Sequence, residues 1–137
     1  MPLKTIQETS LDVVQPSDNA QVVMATRNLA RMVGFDLARQ FLIASAVSEL
    51  STNIIRYAGR GNIILRMVQL GDMMGLEVEA RDQGPGIGDI GKAMQEHYST
   101  GKGLGLGLSS VKRIMDYFHI HSKPDQGTVI RAGKWRS

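Results

Sequence analysis

NIILRMVQL (residues 62–70), GDMMG (71–75) and LEVEARD (76–82) are the stretch that decides the fold. The first segment is rich in Ile, Leu and Val. In the third, Leu76, Val78 and Ala80 alternate with Glu77, Glu79 and Arg81, the two-residue period of a strand with one face turned inward. The glycine-bounded segment between them supplies a turn, so the whole reads as a β-hairpin.

Working outward, residues 37–57 place Ile43, Val47, Leu50, Ile54 and Tyr57 three or four apart, the spacing of a helix that Gly59 or Gly61 would end. Before it, Pro16-Ser17-Asp18-Asn19 offers N-cap candidates for a helix ending at Gly34, with Val22, Ala25, Leu29, Met32 and Val33 on its inward stripe. Leu3 to Thr9 alternates like an edge strand, and a short apolar step follows at Val13-Val14. On the other side, Leu108, Val111, Met115 and Phe118 share a face of a last helix. His119 to Ser122 and Thr128 to Lys134 read as two closing strands around a turn at Pro124 to Gly127. The order β, α, α, β, β, loop, α, β, β predicts an α+β fold, with an antiparallel or mixed sheet and helices gathered on one face.

At 137 residues the chain has room for one core, and one domain over 1–137 is expected. The net charge of +3 and pI near 9.4 come from scattered Lys and Arg with few aromatics among them. That pattern suits small polyanions as well as nucleic acid, and no nucleic-acid partner is expected. The absence of cysteine excludes disulfides, thiolate metal sites and a cysteine nucleophile. No apolar run is long enough for a signal peptide or a membrane span, so the expected location is the cytoplasm, away from membranes.

Three segments could carry chemistry. Glu49-Leu50-Ser51-Thr52-Asn53 puts Glu49 and Asn53 on one side of a helix, at the border of its apolar stripe, with Arg56 alongside. An amide oxygen is a hard ligand suited to Mg²⁺, and a nearby carboxylate can take a proton from a nucleophile. A solvated helix face has the same composition. Asp82-Gln83-Gly84-Pro85-Gly86-Ile87 follows a strand; Asp82 there can accept a hydrogen bond from an exocyclic amine, although turns use the same residues. Gly101-Lys102-Gly103-Leu104-Gly105-Leu106-Gly107-Leu108 alternates glycines into a helix start, where backbone N–H groups and the Lys102 charge could meet phosphates. It lacks the Gly-Lys-Ser/Thr of a P-loop. Their order is what a split nucleotide pocket needs.

These residues resemble the GHKL superfamily. Glu49-xxx-Asn53 is similar to its N box, Asp82-x-Gly84-x-Gly86 to its first glycine box, Gly101 to Leu108 to its second glycine box or ATP lid, and Gly127-Thr128 to the element that completes the adenine site. Within the superfamily the wording looks most like the bacterial anti-sigma-factor kinases, and the stressosome switch kinases among them. The passages that carry this are Tyr57-Ala58-Gly59-x-Gly61, Val111-Lys-Arg-Ile-Met-Asp116 and Lys134-Trp135-Arg136.

The resemblance implies a two-layer Bergerat-type sandwich that binds ATP with Mg²⁺ and phosphorylates Ser or Thr on a STAS-domain protein. A PP2C-type phosphatase or a sigma factor is the further partner it suggests. The alternatives are an anti-sigma kinase that sequesters its sigma factor, and an ATP-gated binding module without transfer. By the same resemblance Asn53 would hold Mg²⁺ and Glu49 would act as base. Asp82 would bind the adenine amine, directly and through water shared with Thr128. Gly84, Gly86 and Ile87 would pass the base, and Gly101, Lys102, Gly103, Leu104, Gly105, Leu106 and Gly107 would close over the phosphates. Arg56 matches a basic position of sensor histidine kinases. His119 and His121, two apart on a strand, have no third metal ligand and read as solvent-facing.

Overall fold

A computed structural model describes residues 2–86 and 107–137. Ile87 and the 101–106 segment lie outside the described residues. In chain order the elements are β1 (Lys4–Val13), α1 (Asp18–Val33), α2 (Leu37–Asn53), a π-helical turn (Ile54–Ala58), β2 (Gly61–Leu70), β3 (Met73–Asp82), α3 (Leu108–Ile114), β4 (Tyr117–Ser122) and β5 (Thr128–Trp135). The strands form one sheet in the order β1-β2-β3-β5-β4, and all four pairings are antiparallel, which resolves the antiparallel-or-mixed expectation.

The hairpin that anchors the sheet is tighter than its glycines suggest. Leu70 pairs with Met73, so only Gly71 and Asp72 form the turn, and β3 already begins at Met73. Ile63, Leu65 and Met67 of β2 face inward with Leu76, Val78 and Ala80 of β3 and with Ile130 and Ala132 of β5. The stripes of α1 (Val22, Leu29, Val33) and α2 (Ile43, Val47, Leu50) cover them, and Leu108 and Val111 of α3 complete the core. Fully burying each of these side chains contributes roughly 1.5–3 kcal/mol before conformational entropy is subtracted.

Three boundaries differ from the sequence expectation. Residues 4–9 of the expected edge strand and Val13 of the apolar step belong to one strand, β1, with a bulge between Thr5 and Gln7 where it pairs with β2. The second helix stops being α-helical at Asn53 and widens into the π turn. The last helix ends at Ile114, with Met115 extended, and Phe118 packs on the core from β4 rather than from a helix. Aromatic Tyr117 and Phe118 favour a strand there, and β5 offers it a pairing partner.

The sheet's other face is covered by its own side chains. Glu79, on that face, is 0% exposed. One of its oxygens accepts from Arg66 Nη1 at 3.1 Å and Arg131 Nη2 at 3.0 Å, and the other accepts from Arg81 Nε. Glu77 accepts from Arg66 Nη1 at 3.0 Å and from the Tyr117 hydroxyl at 2.8 Å. Burial alone would raise the Glu79 carboxyl, but hydrogen bonds from Arg81, Arg131 and Arg66 outweigh it and hold the group at about 2. Burial and the Glu77 carboxylate push the Tyr117 phenol up. His119 and His121 lie exposed on β4.

Gly133 makes the Tyr117 contact possible. Tyr117 lies across β5 to reach β3, and a Cβ at position 133 would meet its ring at 2.2 Å. Gly133→Ala therefore forces the ring off the sheet and strands a buried carboxylate oxygen. The expected loss is about 2–3 kcal/mol of stability, read as a lower urea midpoint with unchanged slope. A variant as stable as the parent would show that the ring has another resting place.

Candidate functional site

The site is assembled at one end of the sheet, where α2 ends, β3 ends and α3 begins. Val47, Leu50 and Ile54 on the buried side hold α2 against the sheet, which leaves Glu49 and Asn53 half-buried on its flank. The π turn begins immediately after Asn53. Single π turns inside helices recur at functional sites, because the extra residue per turn re-aims the side chains around it. The Asn53 side-chain oxygen is buried. Beyond this point the α-helical phase no longer applies. Arg56 is exposed, with its guanidinium 6.0 Å from the Tyr57 ring centroid.

Gly107 is where the second glycine box meets α2. Its φ is +68°, a conformation side chains disfavour, and a Cβ there would meet Glu49 Oε2 at 2.2 Å. The Glu49 carboxylate thus lies directly against the backbone at the entry to α3. Both reasons point to glycine, and together they place the proposed base beside the end of the proposed lid.

Asp82 closes β3 on the inner face, paired with Thr128 of β5. Its carboxylate accepts the backbone N–H of Gly84 at 2.9 Å and that of Thr128. Burial pushes the Asp82 carboxyl above the ordinary aspartate range, and these two N–H groups pull part of that back. The Thr128 hydroxyl is 2.8 Å from the Ser122 hydroxyl. Gly84 packs against Ala58 of the π turn, where a Cβ would meet the Ala58 Cβ at 2.6 Å, and Gly86 packs against the Lys123 carbonyl. Close packing of chain on chain is therefore one reason for glycine at both positions.

The described residues thus bring together Glu49 with Gly107, the π turn after Asn53 with Gly84, and Asp82 with Thr128. Ile87, Lys102 and the rest of 101–106 fall outside the described residues. The Ser122–Thr128 contact has one signal in the sequence, the tight turn at 124–127 that sets the two opposite each other. A surface groove of about 430 Å³ lies elsewhere, lined by Met24, Arg27 and Arg31 of α1 and Gln40 of α2.

Asn53 and Glu49 supply hard oxygen donors of the type Mg²⁺ takes, so the residues present fit that ion. Among the described residues no group of three or more His, Cys, Asp or Glu forms a metal site of another type. No described helix is long and apolar enough to cross a membrane.

Residues 38–136 match the family model described as histidine kinase-, DNA gyrase B-, and HSP90-like ATPase. The chain is 48% identical over 109 residues to the serine/threonine-protein kinase RsbT of Bacillus subtilis, covering 80% of this chain and 82% of that protein. It is 35% identical over 99 residues to an anti-sigma F factor of Caldanaerobacter subterraneus, covering 68% of each. Among solved structures, the SiaB-SiaC complex from Pseudomonas aeruginosa contains a chain that superposes with a TM-score of 0.55 at 11% identity, covering 96% of this chain and 91% of that one. At that identity the likeness concerns the fold.

Proposed function

The chain belongs to the histidine kinase-, DNA gyrase B- and HSP90-like ATPase family, and from that premise we propose that it is an ATP-dependent serine/threonine protein kinase that works with Mg²⁺ on a STAS-domain partner. The observations that support the reading are the contact of Glu49 with Gly107 and the pairing of Asp82 with Thr128, in a chain nearly half identical to a serine/threonine kinase.

In this reading Asp82 anchors the adenine amine, and its burial strengthens that hydrogen bond. Asn53 holds Mg²⁺, which neutralises charge on the triphosphate. Glu49 takes the proton from the substrate Ser or Thr hydroxyl as its oxygen bonds to the γ-phosphorus and the bond to ADP breaks. Positioning and charge neutralisation carry most of phosphoryl transfer, so a base, an amide and a lid suffice. The resemblance to stressosome switch kinases supports a second role, in which the kinase leaves its substrate and activates a PP2C-type phosphatase by binding it.

The test is transfer of radiolabelled phosphate from Mg-ATP to the cognate STAS protein. The wild-type chain should label Ser or Thr, and Asn53→Ala should lose most of that labelling. Equal labelling by the two would remove the proposal. The similarity to anti-sigma F factors favours a second reading, a kinase that also sequesters a sigma factor. A nucleotide-dependent pull-down of a sigma factor would establish it, and capture of a phosphatase alone would reject it.

A further inference from the structure

The face of α1 that turns away from the sheet is basic. Ala20, Met24, Arg27, Asn28 and Arg31 recur three or four apart along it and, with Gln40 of α2, line the groove of about 430 Å³. From Asn19 to Ser48 the one acidic residue is Asp36, and its carboxylate accepts the Arg39 backbone N–H at 2.9 Å to cap α2. Arg27 and Arg31 are exposed, one turn apart, and among the described residues neither forms an ion pair. Like charges at that spacing repel, so the free chain carries them at a cost. The Arg27 guanidinium lies 4.3 Å from the Phe41 ring centroid, a contact that ties α1 to α2. A guanidinium over a ring keeps the N–H groups of its own plane for a carboxylate. Apolar side chains stand beside these charges: Met24 is 66% exposed and Phe41 51%, and Leu37, one turn before Phe41, is 61% exposed.

We propose that the α1–α2 groove docks an acidic amphipathic helix of a protein partner, with carboxylates one turn apart on Arg27 and Arg31 and an apolar side chain against Met24. Charge complementarity names the occupant. Two acids four residues apart on a helix have the separation of two arginines four residues apart on α1, so both pairs can form at once. The partner's charge also relieves the repulsion between the arginines. A concave groove between two helices admits the side chains of a third, with anchors at helical spacing, whereas a membrane presents a flat surface. A phosphate backbone would meet the arginines but would leave Met24 and Leu37 uncovered. Methionine adapts its shape to the apolar residue it receives. The groove shares no residue with the nucleotide reading, so the inference stands or falls without it.

The experiment is fluorescence anisotropy of the full chain with a labelled, side-chain-stapled helical peptide that carries Leu along one face and Glu on its flanks, and with a twin in which every Glu is Lys. The wild type should bind the acidic peptide about tenfold more tightly than the basic one. In the double variant Arg27→Glu, Arg31→Glu that preference should reverse, and Met24→Ser should weaken the acidic peptide about tenfold while leaving the sign of the preference unchanged. Should the double variant have a lower urea midpoint than the parent, Arg31→Glu alone, at an arginine without a ring contact, carries the same comparison. Equal binding of the two peptides by the wild type, or no saturable binding of the acidic one, overturns the inference, as does a preference that survives the charge reversal. Flotation with phosphatidylserine vesicles is the second arm. Vesicle binding that the double variant loses, with no preference between the peptides, would assign the face to a membrane and overturn the proposal.

Discussion

Glu49→Gln should lower phosphate transfer to the partner by about 10²–10⁴-fold, the usual contribution of a positioned general base, and leave Mg-ATP affinity within about threefold of the parent. The substitution keeps size and shape, so the contact with Gly107 and the entry to α3 are preserved. What changes is the ability to hold the hydroxyl proton as the oxygen attacks. Single-turnover transfer with nucleotide and partner both saturating isolates that step. A variant that transfers within tenfold of the wild-type rate would show that Glu49 is not the base and that positioning of the triphosphate carries the reaction. If partner binding survives in Glu49→Gln while transfer is lost, docking and chemistry are separable functions of this chain.

The largest expected effect on stability lies on the opposite side of the sheet. Glu79→Ala removes a fully buried carboxylate that accepts from Arg66, Arg81 and Arg131. Losing one member of a buried ion pair costs about 3–5 kcal/mol, and the lower end applies here because Arg81 and Arg131 are half-exposed and water can take over their donors. The effect should depend on pH with a definite sign. The carboxyl ionises at about 2 in the folded chain, against an ordinary 4.5, so between those values the unfolded chain binds a proton that the folded chain does not. The stabilisation is fully present above about 4.5 and drains away as pH falls towards 2. Urea unfolding of both proteins across that window should show their difference in stability narrowing on acidification. A difference that stays constant with pH would mean the variant suffers from lost packing rather than from lost charge.

Legibility in the sequence followed the range of the interactions. The β2–β3 hairpin was readable because alternation and glycine-bounded turns are local, and the inward stripes of α1 and α2 were readable because helical spacing is. The π turn was not, since a wider turn after Asn53 leaves no composition signature. Met115 and Phe118 misled because spacings of three or four suit a helix, while pairing of Tyr117–Ser122 with β5 depends on residues further along the chain. Glu77 and Glu79 read as the solvent side of an alternating strand. Their burial comes from Arg66 on a neighbouring strand and from Tyr117 and Arg131, 40 and 52 positions away. In the site, residue types were legible and the Ser122–Thr128 contact was not, because it exists only through cross-strand pairing.

The position of β1 has a consequence for synthesis on the ribosome. Among the described strands β1 lies at the sheet edge with β2 as its neighbour, and its partners lie 48 to 65 positions later in the chain. At about 5–20 residues per second, it waits on the order of several seconds with its backbone donors and acceptors unclaimed. Polar Gln7, Glu8, Thr9 and Ser10, together with the bulge between Thr5 and Gln7, make it a poor template for other nascent chains during that wait.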